Sequence, residues 1–422
     1  MRSPGLFDST QPVCEDFMLP VEIKKDIFWV GAVDFNTRDF HGYTIAPQGT
    51  TSNAYVIKDQ KNVLFDTVKA NFAPALKCRL AHVLDLDKID YIVVNHVEMD
   101  HSGALPEMVA LCRPEAIFCS PMGEKALKNH FNTDGWPIKV VKTGDTLSIG
   151  SRTIHFMETR MLHWPDSMFS YIPEDKLLIS NDAFGQNIAS TCRFADEVPR
   201  HEFDAAARTY YHNIVLPFSS QVLKVLDTVA EMGLEIDMIA PDHGLILRTP
   251  DDIAHVLATY KKFATQAPQK KAAIVFDTMW HSTERMAYSI SEGLLKAGIP
   301  STVMDLKVNH HSQVMNELSN CGLLVVGSPT HNNGILPAVA GVLQYIKGLR
   351  PQNRLGAAFG SYGWSGESPK IIGEALTAMG MEQPVAPVKI QYVPTHEHIR
   401  QCFEMGEQLG AALHSYCDSF SG

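Results

Sequence analysis

Four side chains that can bind a metal ion lie within six consecutive residues, at His96, Glu98, Asp100 and His101. The apolar, β-branched run at 89–94 that precedes them is typical of a buried strand, and a loop that leads into a helix follows. Alternate spacing predicts that positions 96, 98 and 100 lie on one side of an extended loop. Because open α/β layers bind ligands at the carboxyl ends of their strands, the cluster is predicted to form part of a metal site.

The same pattern recurs later in the chain, where an apolar strand ends and a metal-binding side chain follows, at His163, Asp182 and His243. A lone histidine in a loop is more often structural than a ligand, but recurrence with complementary residue types favours one shared site. The inventory of imidazoles and carboxylates exceeds what a single tetrahedral zinc ion takes, and it suits two metals that share a carboxylate. Nitrogen and oxygen donors without thiolate fit iron, manganese or zinc.

Composition restricts the classes of protein that fit. A length of 422 residues favours two or three domains, and a formal net charge of -11 without blocks of like charge argues against nucleic acid or an anionic membrane as a partner. No apolar stretch is long enough to cross a bilayer. The start of the chain lacks the apolar core of a signal peptide, so we expect a cytoplasmic location and a loose extension at residues 1 to about 20. The eight cysteines form no C-x-x-C pair, which predicts free thiols.

A polar segment with proline at 265–271 marks the predicted domain boundary, which gives domains of 1–268 and 269–422. In the second domain, strands alternate strictly with helices, and this alternation predicts a doubly wound parallel sheet. The fold class is therefore α/β in this half. The predicted strands are 272–276, 302–305, 323–326, 355–359 and 388–390.

Three loops at the carboxyl ends of these strands favour a bound cofactor. The first is rich in hydroxyls and precedes a helix, which suits a phosphate, although a simple helix cap at Ser282 or Thr283 explains that loop alone equally well. The other two offer small residues and an aromatic ring, Trp364, that can stack on a flat cofactor. No G-x-G-x-x-G follows a strand, so a nicotinamide dinucleotide is not indicated. The predicted contacts are Thr278, Met279, Trp280, His281, Ser282, Thr283, Ser328, Pro329, Thr330, His331, Asn332, Asn333, Gly334, Ser361, Tyr362, Gly363, Trp364, Ser365 and Gly366.

The order H-x-[HE]-x-D-H, then His, Asp and His, resembles the metallo-β-lactamase fold, a sandwich of two sheets flanked by helices. The second half resembles flavodoxin, which binds FMN, although His281 stands where the flavodoxin T-x-T-G-x-T motif has glycine. Together the halves resemble the flavodiiron proteins, and among them most closely the rubredoxin:oxygen oxidoreductases. Hydrolases of the first fold carry histidine where this chain has Glu98, and a carboxylate at that position is characteristic of flavodiiron proteins. The segments at 163–167 and 180–185 also match.

The resemblance implies a site with two irons that share one bridging carboxylate. His101 matches a family position that binds iron in some members and is replaced by solvent in others. We assign His101 a catalytic role as an acid that delivers protons. The implied iron ligands are His96, Glu98 and His163 for one iron, Asp100 and His243 for the other, and Asp182 as the bridge.

The resemblance also implies a function and partners. Electrons from an external rubredoxin would pass through FMN to the irons and reduce dioxygen to water, nitric oxide to nitrous oxide, or both. A head-to-tail homodimer, or a dimer of such dimers, would bring the FMN of one subunit to the irons of the other. Two alternatives are a binuclear zinc hydrolase fused to a flavodoxin-type electron carrier, against which Glu98 argues, and a non-catalytic flavin-binding or redox-sensing protein, against which the complete ligand set argues.

Overall fold

A computed structural model describes residues 18–420, so the extension predicted for residues 1 to about 20 lies, up to residue 17, outside the described residues. The strands are β1 Val21–Lys24, β2 Ile27–Trp29, β3 Ala32–Asp34, β4 Asp39–Phe40, β5 Thr44–Ile45, β6 Thr50–Ser52, β7 Tyr55–Ile57, β8 Val63–Phe65, β9 Tyr91–Val94, β10 Ala116–Cys119, β11 Ile138–Val140, β12 Thr146–Ser148, β13 Thr153–Glu158, β14 Met168–Ile172, β15 Leu177–Ile179, β16 Met238–Ala240, β17 Ala272–Phe276, β18 Ser301–Asp305, β19 Leu323–Gly327, β20 Leu355–Tyr362 and β21 Val388–Gln391. The α-helices are α1 Ala73–Ala81, α2 Met99–Ser102, α3 Leu105–Cys112, α4 Pro121–His130, α5 Arg200–Tyr210, α6 Ser219–Glu231, α7 Pro250–Thr265, α8 Ser282–Lys296, α9 His311–Leu318, α10 Pro337–Leu349, α11 Ser368–Ala378 and α12 His396–Asp418.

The chain folds as two compact units, each built from more than one stretch of sequence. The first unit runs up to Arg38 and continues through Ala46–Ala207 and Ser220–Tyr260. The second unit contains Asp39–Ile45, Arg208–Ser219 and the chain from Lys261 onwards. We retain 1–268 and 269–422 as a proposal for the domain limits.

The first unit is built around two packed sheets. The larger has the strand order β1-β2-β7-β8-β9-β10-β11 and the smaller the order β12-β13-β14-β15-β16. In β9, Val93 points into the core between the sheets, whereas Ile92 and Val94 pack in a second core with α1, α3 and α4. This alternation follows from the period of two along a strand. Because both faces of β9 are covered, the strand is apolar throughout, and the predicted sandwich is confirmed.

Parallel pairing brings the ends of neighbouring strands to one edge in each sheet. Strand β8 pairs in parallel with β9, and β15 pairs in parallel with β16. The chain after β9 does not stay extended, since the amide groups of His101 and Ser102 both donate to the Glu98 carbonyl and form the single turn of α2. The expectation of an extended loop through Asp100 is therefore wrong beyond Glu98.

The second unit contains a parallel sheet of five strands in the order β18-β17-β19-β20-β21. This is the order 2-1-3-4-5 of doubly wound folds, which bind cofactors where the strand order reverses. The predicted strands are confirmed, and β20 extends further than predicted, to Tyr362. One face of the sheet packs on α8 and α12 in a continuous apolar core.

Two expectations from composition have different outcomes. Among residues 18–420, no helix combines the length and the apolar character that a bilayer crossing requires. Cys78 is disulfide-bonded, so the expectation that all eight cysteines are free is wrong for this residue. Among residues 18–420, the cysteines that form no disulfide bond are Cys112, Cys119, Cys192, Cys321, Cys402 and Cys417.

A π-helix at Tyr211–Val215 separates α5 from α6 and belongs to the second unit. Its His212 is buried, and the Nδ1–H group of that residue donates to the Arg208 carbonyl at 2.9 Å. The imidazole packs edge to face against Phe263, with 4.5 Å between the ring centroids. Burial lowers the pKa of His212 to about 3. The neutral ring is therefore the form that the folded state requires.

We expect the free energy of unfolding to fall as the pH drops from about 6.5 towards 3. In this range the unfolded chain protonates His212 and the folded chain does not, at a cost of about 1.4 kcal/mol per pH unit. Urea denaturation at pH 7 and pH 5 measures the effect, and His212→Gln should flatten the slope because glutamine can donate to Arg208 without titrating. His414→Gln is the control, since His414 also bonds a carbonyl but is only partly buried. An equal slope in His212→Gln and the wild type would contradict the assignment.

Candidate metal centre and flavin site

Two groups of ligand atoms converge inside the first unit. His96, Glu98, His163 and Asp182 form the first metal set, and Asp100, His101 and His243 form the second metal set. Within each set the ligand atoms lie within 4.8 Å of one another. The structure therefore brings together all six predicted metal ligands, and it adds His101, the predicted catalytic acid, to the second set.

The Asp182 carboxylate faces both sets. Its Oδ2 lies 2.9 Å from His163 Nε2 and 3.2 Å from His96 Nε2, which belong to the first set. Its Oδ1 lies 3.2 Å from His101 Nε2 and 3.3 Å from His243 Nε2, which belong to the second. Asp182 is 1% exposed. A buried carboxylate with one oxygen towards each set is the geometry that a shared ligand requires.

Electrostatics show that the site is built for positive charge. Burial alone would lower the pKa of His96, but the Asp166 and Asp182 carboxylates outweigh burial and raise that pKa well above its usual value. Burial opposes protonation of His101 as well, yet Asp100 and Asp182 raise its pKa to about 10. Burial would raise the pKa of Asp182, and the neighbouring imidazoles lower it well below the usual range. Cations bound between these groups would supply the same charge, so the residues fit a pair of metal ions.

Further buried groups hold the ligands from behind. Asp166 Oδ2 accepts a hydrogen bond from the Val97 amide at 2.7 Å and lies 3.1 Å from His96 Nδ1. His243 Nδ1 donates to the Thr51 carbonyl at 2.6 Å. Such partners fix the tautomer and the orientation of a ligating imidazole.

Asp66, which directly follows β8, anchors the start of the ligand loop. Its carboxylate accepts hydrogen bonds from the amide and the side chain of Asn95, both at 2.8 Å, and from the His96 amide. Burial raises the pKa of Asp66 to about 6. The sequence analysis did not predict that Asp66, Asp166 and Asp242 belong to the site. Asp66 could have been found there, because it follows a strand end as the ligands do.

Aromatic and apolar side chains border the first metal set. Trp164 is half-buried and packs edge to face on His96, with ring centroids 5.2 Å apart. Met99 is exposed, and its sulfur lies 3.4 Å from His130 Nδ1. The peptide bond before His163 is cis. The Glu98 side chain is partly exposed, whereas the other three members of the first metal set are buried.

The second unit contains a cavity of about 620 Å³ at the carboxyl ends of its strands. This volume lies in the range of small-molecule and cofactor sites. All three predicted loops contribute residues to its lining. The second and third loops approach closely, because a Cβ atom on Gly360 would lie 2.2 Å from the Ser328 carbonyl oxygen. Predicted contacts that line the cavity are Thr278, Met279, Trp280, Ser282, Pro329, Thr330, His331, Asn332, Ser361, Tyr362, Gly363 and Trp364.

The other predicted contacts are not among the residues that line this cavity. Thr283 is buried and bonds Ser361 Oγ at 3.0 Å, so it joins the first and third loops. His281 pairs with Glu284 and has φ of +63°, the left-handed region that explains the glycine usual at this place in flavodoxins. Ser328, Asn333, Gly334, Ser365 and Gly366 complete the group that does not line the cavity.

Three residues of this site were missed in the sequence. Tyr392 and Val393 line the cavity directly after β21, where the strand-end rule would have found them. Both are exposed, which suits contact with a flat ring. Lys307 Nζ donates to the Thr278 carbonyl and lies 3.6 Å from Asp277, so it brings a positive charge to the first loop. No local pattern marks Lys307, because β17 and β18 are neighbours only in the folded sheet.

Comparisons with known proteins agree with this architecture. The family model described as ODP family beta lactamase matches residues 50–244, and the flavodoxin model matches residues 274–406. A rubredoxin-oxygen oxidoreductase from Megalodesulfovibrio gigas is 53% identical over 384 residues, which cover 91% of this chain and 96% of that protein. A nitric oxide reductase from Moorella thermoacetica is 42% identical over 396 residues, which cover 93% and 99%.

Solved structures are similar over the same extent. The rubredoxin oxygen:oxidoreductase from Desulfovibrio gigas superimposes with a TM-score of 0.93 at 51% identity, covering 94% of this chain and 99% of that one. The flavodiiron protein from Giardia intestinalis has a TM-score of 0.91 at 32% identity and covers 95% and 98%. The first unit is therefore a metallo-β-lactamase-like domain and the second a flavodoxin domain. With both domains matched along nearly the whole length of these relatives, the chain belongs to the flavodiiron protein family.

Proposed function

We propose that this oxidoreductase reduces dioxygen to water, nitric oxide to nitrous oxide, or both, at two irons that receive electrons from rubredoxin through FMN. The observation that carries the proposal is the Asp182 carboxylate between two metal sets, with Glu98 in the first set. A hard carboxylate in place of a histidine favours iron over zinc. A zinc hydrolase would also leave the flavodoxin domain without a role.

The ligand roles follow from which atoms converge. In the proposal His96, Glu98 and His163 hold one iron, Asp100 and His243 hold the other, and Asp182 is shared. Irons held by these residues would bind and activate a diatomic gas, and FMN in the second unit would supply the electrons.

The protein around these ligands provides rigidity and limits water. Asp166 fixes the ring of His96 and also binds the Val97 amide, so the first ligand cannot rotate independently of its loop. Trp164 packs edge to face on His96 and restricts the movement of that ring. A dry, preorganised site strengthens every charge interaction within it.

The electron path outside the chain belongs to the same proposal. The rubredoxin-oxygen oxidoreductase at 53% identity supports rubredoxin as the donor. In the flavin cavity Thr278 and Ser282 provide hydroxyls for a phosphate, and Trp280, Trp364 and Tyr392 provide exposed rings for a flavin. A cytoplasmic location remains part of the proposal.

Anaerobic stopped-flow of the reduced protein, mixed separately with dioxygen and with nitric oxide, tests the function. Iron, zinc and FMN are assayed beforehand, and we expect two irons and one FMN per chain. Rapid reoxidation of the flavin by dioxygen would identify an oxygen reductase, and preferential reoxidation by nitric oxide would identify a nitric oxide reductase. Two zinc ions and a flavin that responds to neither gas would overturn the proposal in favour of the hydrolase.

Replacing the shared carboxylate should remove both metals. We expect Asp182→Ala to lower iron from two per chain to less than one, because it removes an oxygen ligand from each set and leaves the imidazoles without their common counter-charge. Metal analysis after gel filtration measures this, with FMN content as the internal reference for folding. Asp134→Ala, at an exposed acidic residue, is the matched control and should retain both irons. Full iron content in Asp182→Ala would exclude a shared ligand.

We further propose a head-to-tail homodimer, or a dimer of such dimers, in which each FMN serves the irons of the partner subunit. Asp182→Ala disables the metal site, and Ser282→Asp places a carboxylate where the FMN phosphate binds. Neither variant should be active alone. Coexpression should restore about a quarter of wild-type activity, because half of the dimers are mixed and each mixed dimer has one working pair of sites. Multi-angle light scattering confirms the dimers, and no recovery in mixed dimers would show that transfer stays within one chain.

A further inference from the structure

Asp242 is a fully buried carboxyl group for which no use has yet been described. Its side chain is 0% exposed, and neither oxygen has a hydrogen-bond partner among residues 18–420. An unpaired polar group in the protein interior is unfavourable, so we expect a donor that pairs with Asp242 once metal is bound.

His101 is the donor that faces Asp242. The Nδ1 atom of His101 lies 3.7 Å from Asp242 Oδ2, slightly beyond hydrogen-bond distance. On the opposite edge of the ring, Nε2 lies 3.4 Å from Asp100 Oδ1 and 3.2 Å from Asp182 Oδ1. The ring is 1% exposed, and neither nitrogen makes a hydrogen bond of good geometry in the described part of the chain. One nitrogen thus points to the second metal set and the other to a carboxyl group behind it.

The same arrangement supports two other ligands of the centre. His96 has Nε2 towards the first metal set and Nδ1 at 3.1 Å from Asp166. His243 has Nε2 towards the second set and Nδ1 on the Thr51 carbonyl. His101 repeats this pattern, with Asp242 in the place of the acceptor.

We propose that Asp242 is a positioning residue that accepts the Nδ1–H of His101 and thereby presents its Nε2 to the second metal, which makes His101 a ligand of that metal. This inference rests on the proposed two-metal centre. It replaces the expectation that His101 delivers protons, because a ring held at both nitrogens has no lone pair free for proton transfer. Ligand rings held by an outer carboxylate are a general device for fixing the tautomer and increasing basicity.

The test is an anaerobic titration of metal-free, FMN-loaded protein with ⁵⁷Fe²⁺, read by Mössbauer spectroscopy. Asp242→Asn keeps the shape but removes the charge, and we expect it to weaken binding of one iron about 10–100-fold and to change the spectrum of that iron only. His101→Gln should weaken the same iron. Because Asp242 acts through His101, the double variant should bind iron no more weakly than His101→Gln alone.

Asp166→Asn is the matched control, since it should alter the other iron through His96. FMN content and circular dichroism identify folded protein, and Asp242→Ser provides a second replacement should Asp242→Asn not accumulate. Two irons bound by Asp242→Asn with wild-type affinity and spectrum would overturn the inference, as would additive losses in the double variant. Failure of the proposed function is distinguishable, because the wild-type protein itself would then not bind two irons.

Discussion

The need to balance buried negative charge governs the first unit. Glu98 and Asp182 belong to the first metal set and Asp100 to the second, and both aspartates are buried. The carboxylates raise the pKa values of His96 and His101, so protonated imidazoles would balance them where no cation is bound. Two divalent cations satisfy the same requirement and leave the imidazoles neutral, as metal ligation demands. Bound metal ions would therefore also stabilise the folded first unit, because they balance its buried carboxylates.

Strand geometry delivers the groups that meet this condition. Both units place polar side chains directly after buried strands, and parallel pairing gathers those strand ends at one edge. In the first unit the candidate ligands follow β9 in one sheet and β13, β15 and β16 in the other, and in the second unit the ends of β17, β19 and β20 bring the three flavin loops together. One rule of sheet architecture thus produces a metal centre in one domain and a cofactor cavity in the other.

This rule explains which parts could be predicted from the sequence. Strand ends followed by His, Asp or Glu are visible in the chain, so the six candidate ligands that the two metal sets bring together and most lining residues of the flavin cavity could be predicted. Asp166 and Lys307 act on residues from another part of the fold, and no local pattern marks them. Asp242 does follow a strand end, that of β16, but nothing in the sequence distinguishes its role from that of the neighbouring His243. The turn of helix at Met99–Ser102 was missed because four residues are too few for periodicity. The segments 39–45 and 208–219 belong to the second unit through contacts far apart in sequence.

The carboxyl groups behind the ligands extend the electrostatic argument. Three ligand carboxylates leave two divalent cations with a net positive charge, and in a low dielectric this charge is costly unless it is offset nearby. Asp166 and Asp242 lie on the far sides of His96 and His101, where in the proposed centre they would meet the positive charge that ligation draws onto each ring. Each metal set then has its own buried counter-charge, while Asp182 is common to both. Substitution of Asp166 or Asp242 should consequently weaken the binding of one metal, whereas substitution of Asp182 should weaken the binding of both.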